Sequence, residues 1–84
     1  MKLCAVVGTN IRKQRADRGL SQEELAHRAG IDRSYLSEVE NGHKSVGVMV
    51  LDDIAAALEV EITDLLKGYK RAKSPSLAKR RIPT

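Results

Sequence analysis

The sequence predicts an all-α fold, five short helices followed by a basic, disordered C-terminal tail. Three observations carry this prediction. The 84 residues contain no Phe or Trp and only Tyr35 and Tyr69, so any core is built from Leu, Ile, Val and Ala. Small aliphatic cores of that kind are usually helical. No proline precedes Pro75, so nothing forbids helix before that point. Glycines and capping residues then divide the chain into short periodic segments. Apolar residues make up 42% of the chain, which suits a folded domain. The length allows one domain at most, and its limited core favours self-association.

The first helix begins somewhere between residues 3 and 9 and runs to Arg18, where Gly19 stops it. Its inward face reads Val7, Ile11 and then Arg15, at four-residue spacing. The second helix has a capping box, with Ser21 as the cap and Glu24 three residues on. Leu25, Ala26 and Ala29 point inward and Gly30 ends it. Asp32 is the expected cap of the third helix, from about 33 to 40, which ends at Asn41-Gly42. At 100° per residue, Tyr35, Leu36, Val39 and Glu40 share one side of it. Arg33, Ser34, Ser37, Glu38 and Asn41 share the other, a short polar face unlike an ordinary Lys/Glu solvent face. The fourth helix, from about 48 to 58, has the stripe Val48, Leu51, Ile54, Ala55 and Leu58. A short fifth helix runs from 62 or 63 to 67, with Thr63 as its expected cap. Val60, Ile62, Leu65 and Leu66 offer more apolar surface than one small core needs. They either form a dimer interface or close the core.

Two charges fall on apolar faces, Arg15 and Glu40. An unpaired buried charge costs several kcal/mol, so a structural ion pair between them is expected. The alternative is that both side chains reach out to water along their aliphatic stems.

Charge divides the chain. Residues 1–66 carry eight Lys/Arg and all eleven Asp/Glu, a balance of −3. Residues 67–84 carry seven Lys/Arg and no acid, a balance of +7 within a total of +4. The tail reads either as an arm that touches nucleic-acid phosphates or as a solubilising segment. It lacks the apolar stripe of a membrane-surface helix.

Several functions are excluded. One cysteine forms no internal disulfide, and its usage fits a reducing cytoplasm. No apolar run approaches a membrane span, and the apolar stretch near Met1 is too short for a signal peptide. His27 and His43 lack partners at ligand spacing, so no metal site is expected. Adjacent Asp52 and Asp53 point 100° apart on a helix, and Cys4 has no base beside it. There is no phosphate-cradling glycine loop and no enzyme constellation, and no cofactor is expected.

Residues 21–42 carry the informative motif. Two short helices joined by a glycine-containing turn are a helix-turn-helix. Ala26 is small where the helices cross, Gly30 accepts a left-handed backbone, and Ile31 and Leu36 plug the gap. The outer face of the second helix of the unit is left free for a DNA major groove.

Three stretches then carry a resemblance. They are Ser21-Gln22-x-x-Leu25-Ala26-x-x-Ala29-Gly30-Ile31, Leu36-x-x-Val39-Glu40-x-Gly42, and Ala55-x-Ala57-Leu58-x-Val60. Residues 7–66 resemble the Cro/phage-repressor-type (XRE) helix-turn-helix family. The hexapeptide 32–37 is similar to the recognition helices of restriction–modification controller proteins. The resemblance implies a compact, lambda-repressor-like DNA-binding domain over 1–66, with 67–84 outside it. It implies base-reading roles for Arg33, Ser34, Ser37 and Glu38, and phosphate contacts from Gln22, Asn41, His43 and Lys44. It also implies the buried Arg15–Glu40 pair. Val46 and Gly47 replace the family's frequent Pro and Ser, and Lys44-Ser45 replaces the controllers' frequent Arg-Asn, so backbone contacts there are open.

By chemistry, Arg33 can bind guanine bidentately and Glu38 can accept from cytosine N4. Glu38 can equally hold Arg33 in place. The expected protein is therefore a cytoplasmic, homodimeric transcription regulator of double-stranded DNA, acting as a repressor or controller on a pseudo-palindromic operator. Two alternatives stand beside it, an antitoxin-like or adaptor module that binds a protein, and a non-specific nucleic-acid binder led by the tail.

Overall fold

The computed structural model describes residues 2–71. Helix α1 spans Lys2–Asp17, α2 Gln22–Ala29, α3 Arg33–Glu40 and α4 Val48–Leu58, and a 3-10 helix spans Ile62–Leu66. The described residues contain no strand. The expected tail lies outside them from residue 72 onward.

The four α-helices enclose an aliphatic core. Ile11, Leu25, Leu36, Ile54, Leu58 and Leu65 are fully buried, one or two from each element. Burying each such side chain contributes about 1.5–3 kcal/mol relative to leaving it in water.

The fifth element corrects the expectation of an α-helix. Its backbone closes as a tight turn, with Asp64 N–H donating to the Glu61 carbonyl at 2.9 Å. That i to i+3 closure is what defines a 3-10 segment, here five residues long. Its cap is Glu61 rather than Thr63. Glu61 caps by its backbone, with no bond from its own carboxylate, and its N–H donates to Asp64 Oδ2 at 3.0 Å. Lys67, bonded to Asp64 at 3.0 Å, holds that carboxyl below its usual range, with help from the Glu61 backbone.

Three further expectations change. Asp32 is the N-cap of α3 by its backbone, but its side chain makes no capping bond. Val48, placed on the inward stripe of α4, is 75% exposed and lines an open apolar groove with Leu3, Ile62 and Leu66 rather than the core. Leu65 belongs to the core and is unavailable to a dimer partner, whereas Val60 and Ile62 are half-buried and Leu66 is exposed. A bond to the rest of the fold also reaches residue 67. Asn10 on α1 donates its side-chain amide to the carbonyls of Leu65 and Lys67, both at 2.9 Å.

Helix α1 meets the end of α3 through Gly8. A Cβ there would lie 2.4 Å from the Val39 carbonyl oxygen and 2.5 Å from that of Glu40. Glycine is what lets the two backbones touch. One and two turns further along this face stand Arg12 and Arg15, which places both over the C-terminal end of α3.

Candidate nucleic-acid interface

The helix pair α2–α3 is fixed at both ends of α2. Ser21 Oγ accepts from the Glu24 N–H at 3.0 Å, and the Ser21 N–H donates to Glu24 Oε1 at 2.9 Å. The Ser21 backbone N–H first, and the Ser21 hydroxyl second, hold the Glu24 carboxyl below the usual range against an opposing effect of desolvation. Gly30 closes the helix with φ 71°, its N–H turned back to the carbonyls of Ala26 and His27. A residue with a side chain would be strained there. The turn delivers Leu36 and Val39 to the core, which leaves Arg33 and Ser34 outside.

Glu40 joins three helices. Its side chain is 0% exposed. Arg15 grips it with a two-pronged fork, Nε to Oε2 at 2.8 Å and Nη2 to Oε1 at 3.0 Å. The remaining Arg15 nitrogen, Nη1, donates to the Leu20 carbonyl at 2.9 Å. Gln22, the first residue of α2, donates its Nε2 to Glu40 Oε1 at 3.0 Å. The Arg15 guanidinium, bonded to Glu40, holds its proton more tightly than usual despite partial desolvation. A bidentate pair with its other donors satisfied is the arrangement in which a buried charge is tolerable.

The residues with expected roles in DNA contact occupy two neighbouring places. Gln22, Arg33, Ser34, Ser37 and Glu38 line one shallow groove. Arg33, Ser34 and Glu38 are exposed there, and Gln22 and Ser37 are half-buried. Among the described residues, no side-chain hydrogen bond involves Arg33, Ser34 or Ser37. Asn41, His43 and Lys44 are exposed just beyond the end of α3. Glu38 pairs with Lys44, Oε1 to Nζ at 3.4 Å, and not with Arg33. The same Lys44 ammonium stands 5.9 Å from the centre of the Tyr35 ring. Half-exposed pairs of this kind contribute about 0–1 kcal/mol, so Lys44 exchanges partners at little cost.

Arg12 has no assigned role in the sequence reading. Its Nη2 donates to Asn41 Oδ1 at 2.6 Å and more weakly to the Glu40 carbonyl at 3.4 Å. Its Nε lies 3.7 Å from Glu40 Oε1. The only signal in the sequence was spacing, since Arg12 sits four residues after Gly8 and three before Arg15.

The described residues contain no cluster of His, Cys, Asp and Glu able to hold a metal, and no helix long and apolar enough to cross a membrane. What they present is a polar groove face, donors at the start of α2, and cations at both ends of α3. That combination suits the edge of a DNA duplex.

Known proteins share this fold. A helix-turn-helix family model, HTH_3, matches residues 11–65. The restriction-modification controller protein C.AhdI from Aeromonas hydrophila superposes with a TM-score of 0.75 and 37% identity, over 77% of this chain and 98% of that one. The hypothetical transcription factor NHTF from Neisseria superposes with a TM-score of 0.74 and 42% identity, over 76% of this chain and 74% of that one. The match spans 60% of that factor's full length. The uncharacterized HTH-type transcriptional regulator y4dJ of Sinorhizobium fredii is 36% identical over 66 residues, 79% of this chain and 86% of that protein. The chain belongs to the HTH_3, XRE-type helix-turn-helix family of DNA-binding transcription regulators, and restriction–modification controller proteins are among its relatives.

Proposed function

We propose that the chain is a sequence-specific, homodimeric repressor or controller that reads a pseudo-palindromic operator through the major groove. One observation carries this reading. The outer face of α3 presents Arg33, Ser34, Ser37 and Glu38 in a single groove, while its inner face is anchored by Leu36, Val39 and Glu40. A rigidly held helix whose Arg33, Ser34 and Ser37 side chains have no internal hydrogen bond, and whose Glu38 is held only by an exposed Lys44, is what base readout requires. Arg33 pairs with guanine O6 and N7, Ser34 and Ser37 contact neighbouring base edges, and Glu38 accepts from cytosine N4. Gln22, Asn41, His43 and Lys44 set the register through phosphates.

Self-association is supported by surface that water should not keep. Ile62, Leu66 and Val48 line one apolar groove, and Met49 beside Val48 is 80% exposed. Two copies joined there would present two α3 helices to half-sites about 34 Å apart. Occupying a promoter blocks polymerase with no further contact, which favours repression.

The test is fluorescence anisotropy with two duplexes, one from the gene's own upstream region and one scrambled, at two salt concentrations. The expected result is preference for the upstream duplex, lost in Arg33→Ala, with sedimentation equilibrium giving a dimer. Equal binding to both duplexes, by wild type and variant alike, overturns the assignment of α3 as the reader.

A further inference from the structure

The charges around Glu40 do not cancel. Two guanidinium groups, Arg12 and Arg15, share one carboxylate. Arg15 takes it by the fork and is itself only 17% exposed. The surplus positive charge therefore resides on Arg12, whose side chain is 51% exposed.

Arg12 is also tethered. Its Nη2 donates to Asn41 Oδ1 and, more weakly, to the Glu40 carbonyl. A guanidinium has five N–H donors, so those on Nη1 remain, with no partner among the described residues. The 2.6 Å bond has a second effect. It engages the oxygen of the exposed Asn41 carboxamide, while the two Nδ2 donors have no partner among the described residues. Cation and amide are thus oriented together, with donors only. An exposed arginine normally gives up much rotamer freedom on binding, and one already tethered gives up less.

The ligand class follows from that geometry. Donors without acceptors, carrying one net positive charge, suit an oxyanion and repel a cation or a base-edge donor. The site lies on the α1 side of the end of α3, adjoining the face that carries Gln22 and Asn41. We propose that Arg12 and Asn41 form a composite site for a DNA phosphodiester, in which Arg12 both contacts the phosphate and positions the Asn41 amide. This rests on the DNA-binding reading above and extends it to a residue of α1, outside the helix-turn-helix unit. Asn41 alone, free to rotate, would offer oxygen or nitrogen equally. Arg12 makes the choice.

The experiment uses the full chain and two 24-base-pair duplexes, the tightest binder recovered by wild type from a random pool and a scrambled version of it. Single methylphosphonates, which remove one phosphate charge each, are walked along both strands of the selected duplex. Arg12→Ala, Arg12→Lys, Arg12→Gln and Asn41→Ala are compared, with melting temperatures measured alongside. Arg12→Ala should weaken binding to both duplexes about tenfold per protomer, as loss of a charged hydrogen bond would. It should lower the slope of log K against log salt by about 1 per protomer. One methylphosphonate per half-site should weaken wild type and leave Arg12→Ala and Asn41→Ala unaffected. Arg12→Lys should restore most of the salt slope, and Arg12→Gln, uncharged but folded, should not. A merely structural arginine would change the melting temperature and leave the slope and the methylphosphonate pattern as in wild type, and that result overturns the proposal. If wild type itself binds both duplexes equally, the operator-reading function fails. The salt slopes of the Arg12 variants on the scrambled duplex still decide the phosphate site.

Discussion

The two faces of α3 belong to the same eight residues and have opposite characters. On the inner face Leu36 and Val39 are sealed in the core, and Glu40, though charged, has every oxygen occupied by Arg15 or Gln22. On the outer face Arg33 and Ser34 stand in solvent with no bond to the rest of the described chain. The difference separates two kinds of work. Polar groups buried without partners are costly, so the inner face must be complete before anything binds. Polar groups that are to meet bases must stay incomplete until binding. Stability and recognition therefore reside on different residues of one helix, and substitutions should separate them.

The strongest way to break this arrangement is at Glu40. Glu40→Ala leaves the Arg15 guanidinium buried beside an empty space and removes the bond to Gln22. Breaking a buried pair from one side costs about 3–5 kcal/mol. For a domain of this size each kcal/mol moves the melting temperature by about 4–8 °C. Thermal unfolding followed by circular dichroism should therefore drop by well over 10 °C, and an unchanged midpoint would mean that the pair is dispensable. Gly8→Ala attacks the same junction from α1. Its methyl would overlap the Val39 and Glu40 carbonyl oxygens, so α1 must move away from α3. Overpacking of this sort costs about 1–3 kcal/mol, against the small gain that alanine normally brings to a helix interior. Urea unfolding should show destabilisation, and stabilisation would place α1 elsewhere.

The outer face should respond in the other currency. Arg33→Ala should lose about 1–3 kcal/mol of discrimination between cognate and scrambled DNA. Its melting temperature should stay close to wild type, because an exposed side chain without partners changes stability by no more than about 0.5 kcal/mol. Anisotropy and calorimetry on the same preparation read both quantities. A variant that loses stability and keeps its DNA preference would reverse the roles given to the two faces.

Much of this division was legible in the sequence. The Ser21–Glu24 box and Gly30 are local signals, set by atoms within a few residues, and they mark α2 and its turn. The 100° period separates Leu36 and Val39 from Arg33 and Ser34, and a charge out of place on each of two apolar stripes pointed Arg15 toward Glu40. What was not legible depends on tertiary position. Gly8 reads as a weak helix former until α3 arrives against it. Arg12 reads as one more surface cation, because its partner Asn41 is 29 residues away. Val48 obeys the stripe of α4 and is still exposed, since periodicity does not say where the neighbouring elements end. The last element is not legible because its cap, Glu61, acts through its backbone and carries no local side-chain signal, and because apolar spacing over five residues does not distinguish an α-helix from a 3-10 segment.

The mildest test concerns the cap that connects scaffold to reader. Ser21 and Glu24 fix the first turn of α2, and Gln22 lies inside that turn. Ser21→Ala should cost about 1 kcal/mol, the usual loss for an N-cap hydroxyl. Glu24 adds a dependence on pH whose sign is determined by its depressed pKa. The folded state binds that proton less readily than the unfolded state. The stabilisation from the Glu24 carboxylate is therefore fully present above the unfolded value, about 4.3, and disappears as pH falls through the lower folded value. The comparison to make is wild type against Glu24→Ala, so that other carboxyls titrate in both and cancel. The gap between their melting temperatures should be constant from pH 7 to about 5 and close progressively below about pH 4. A gap that persists undiminished in acid would show that the ionised carboxylate is not what holds the Ser21 N–H, and that the cap rests on the hydroxyl alone.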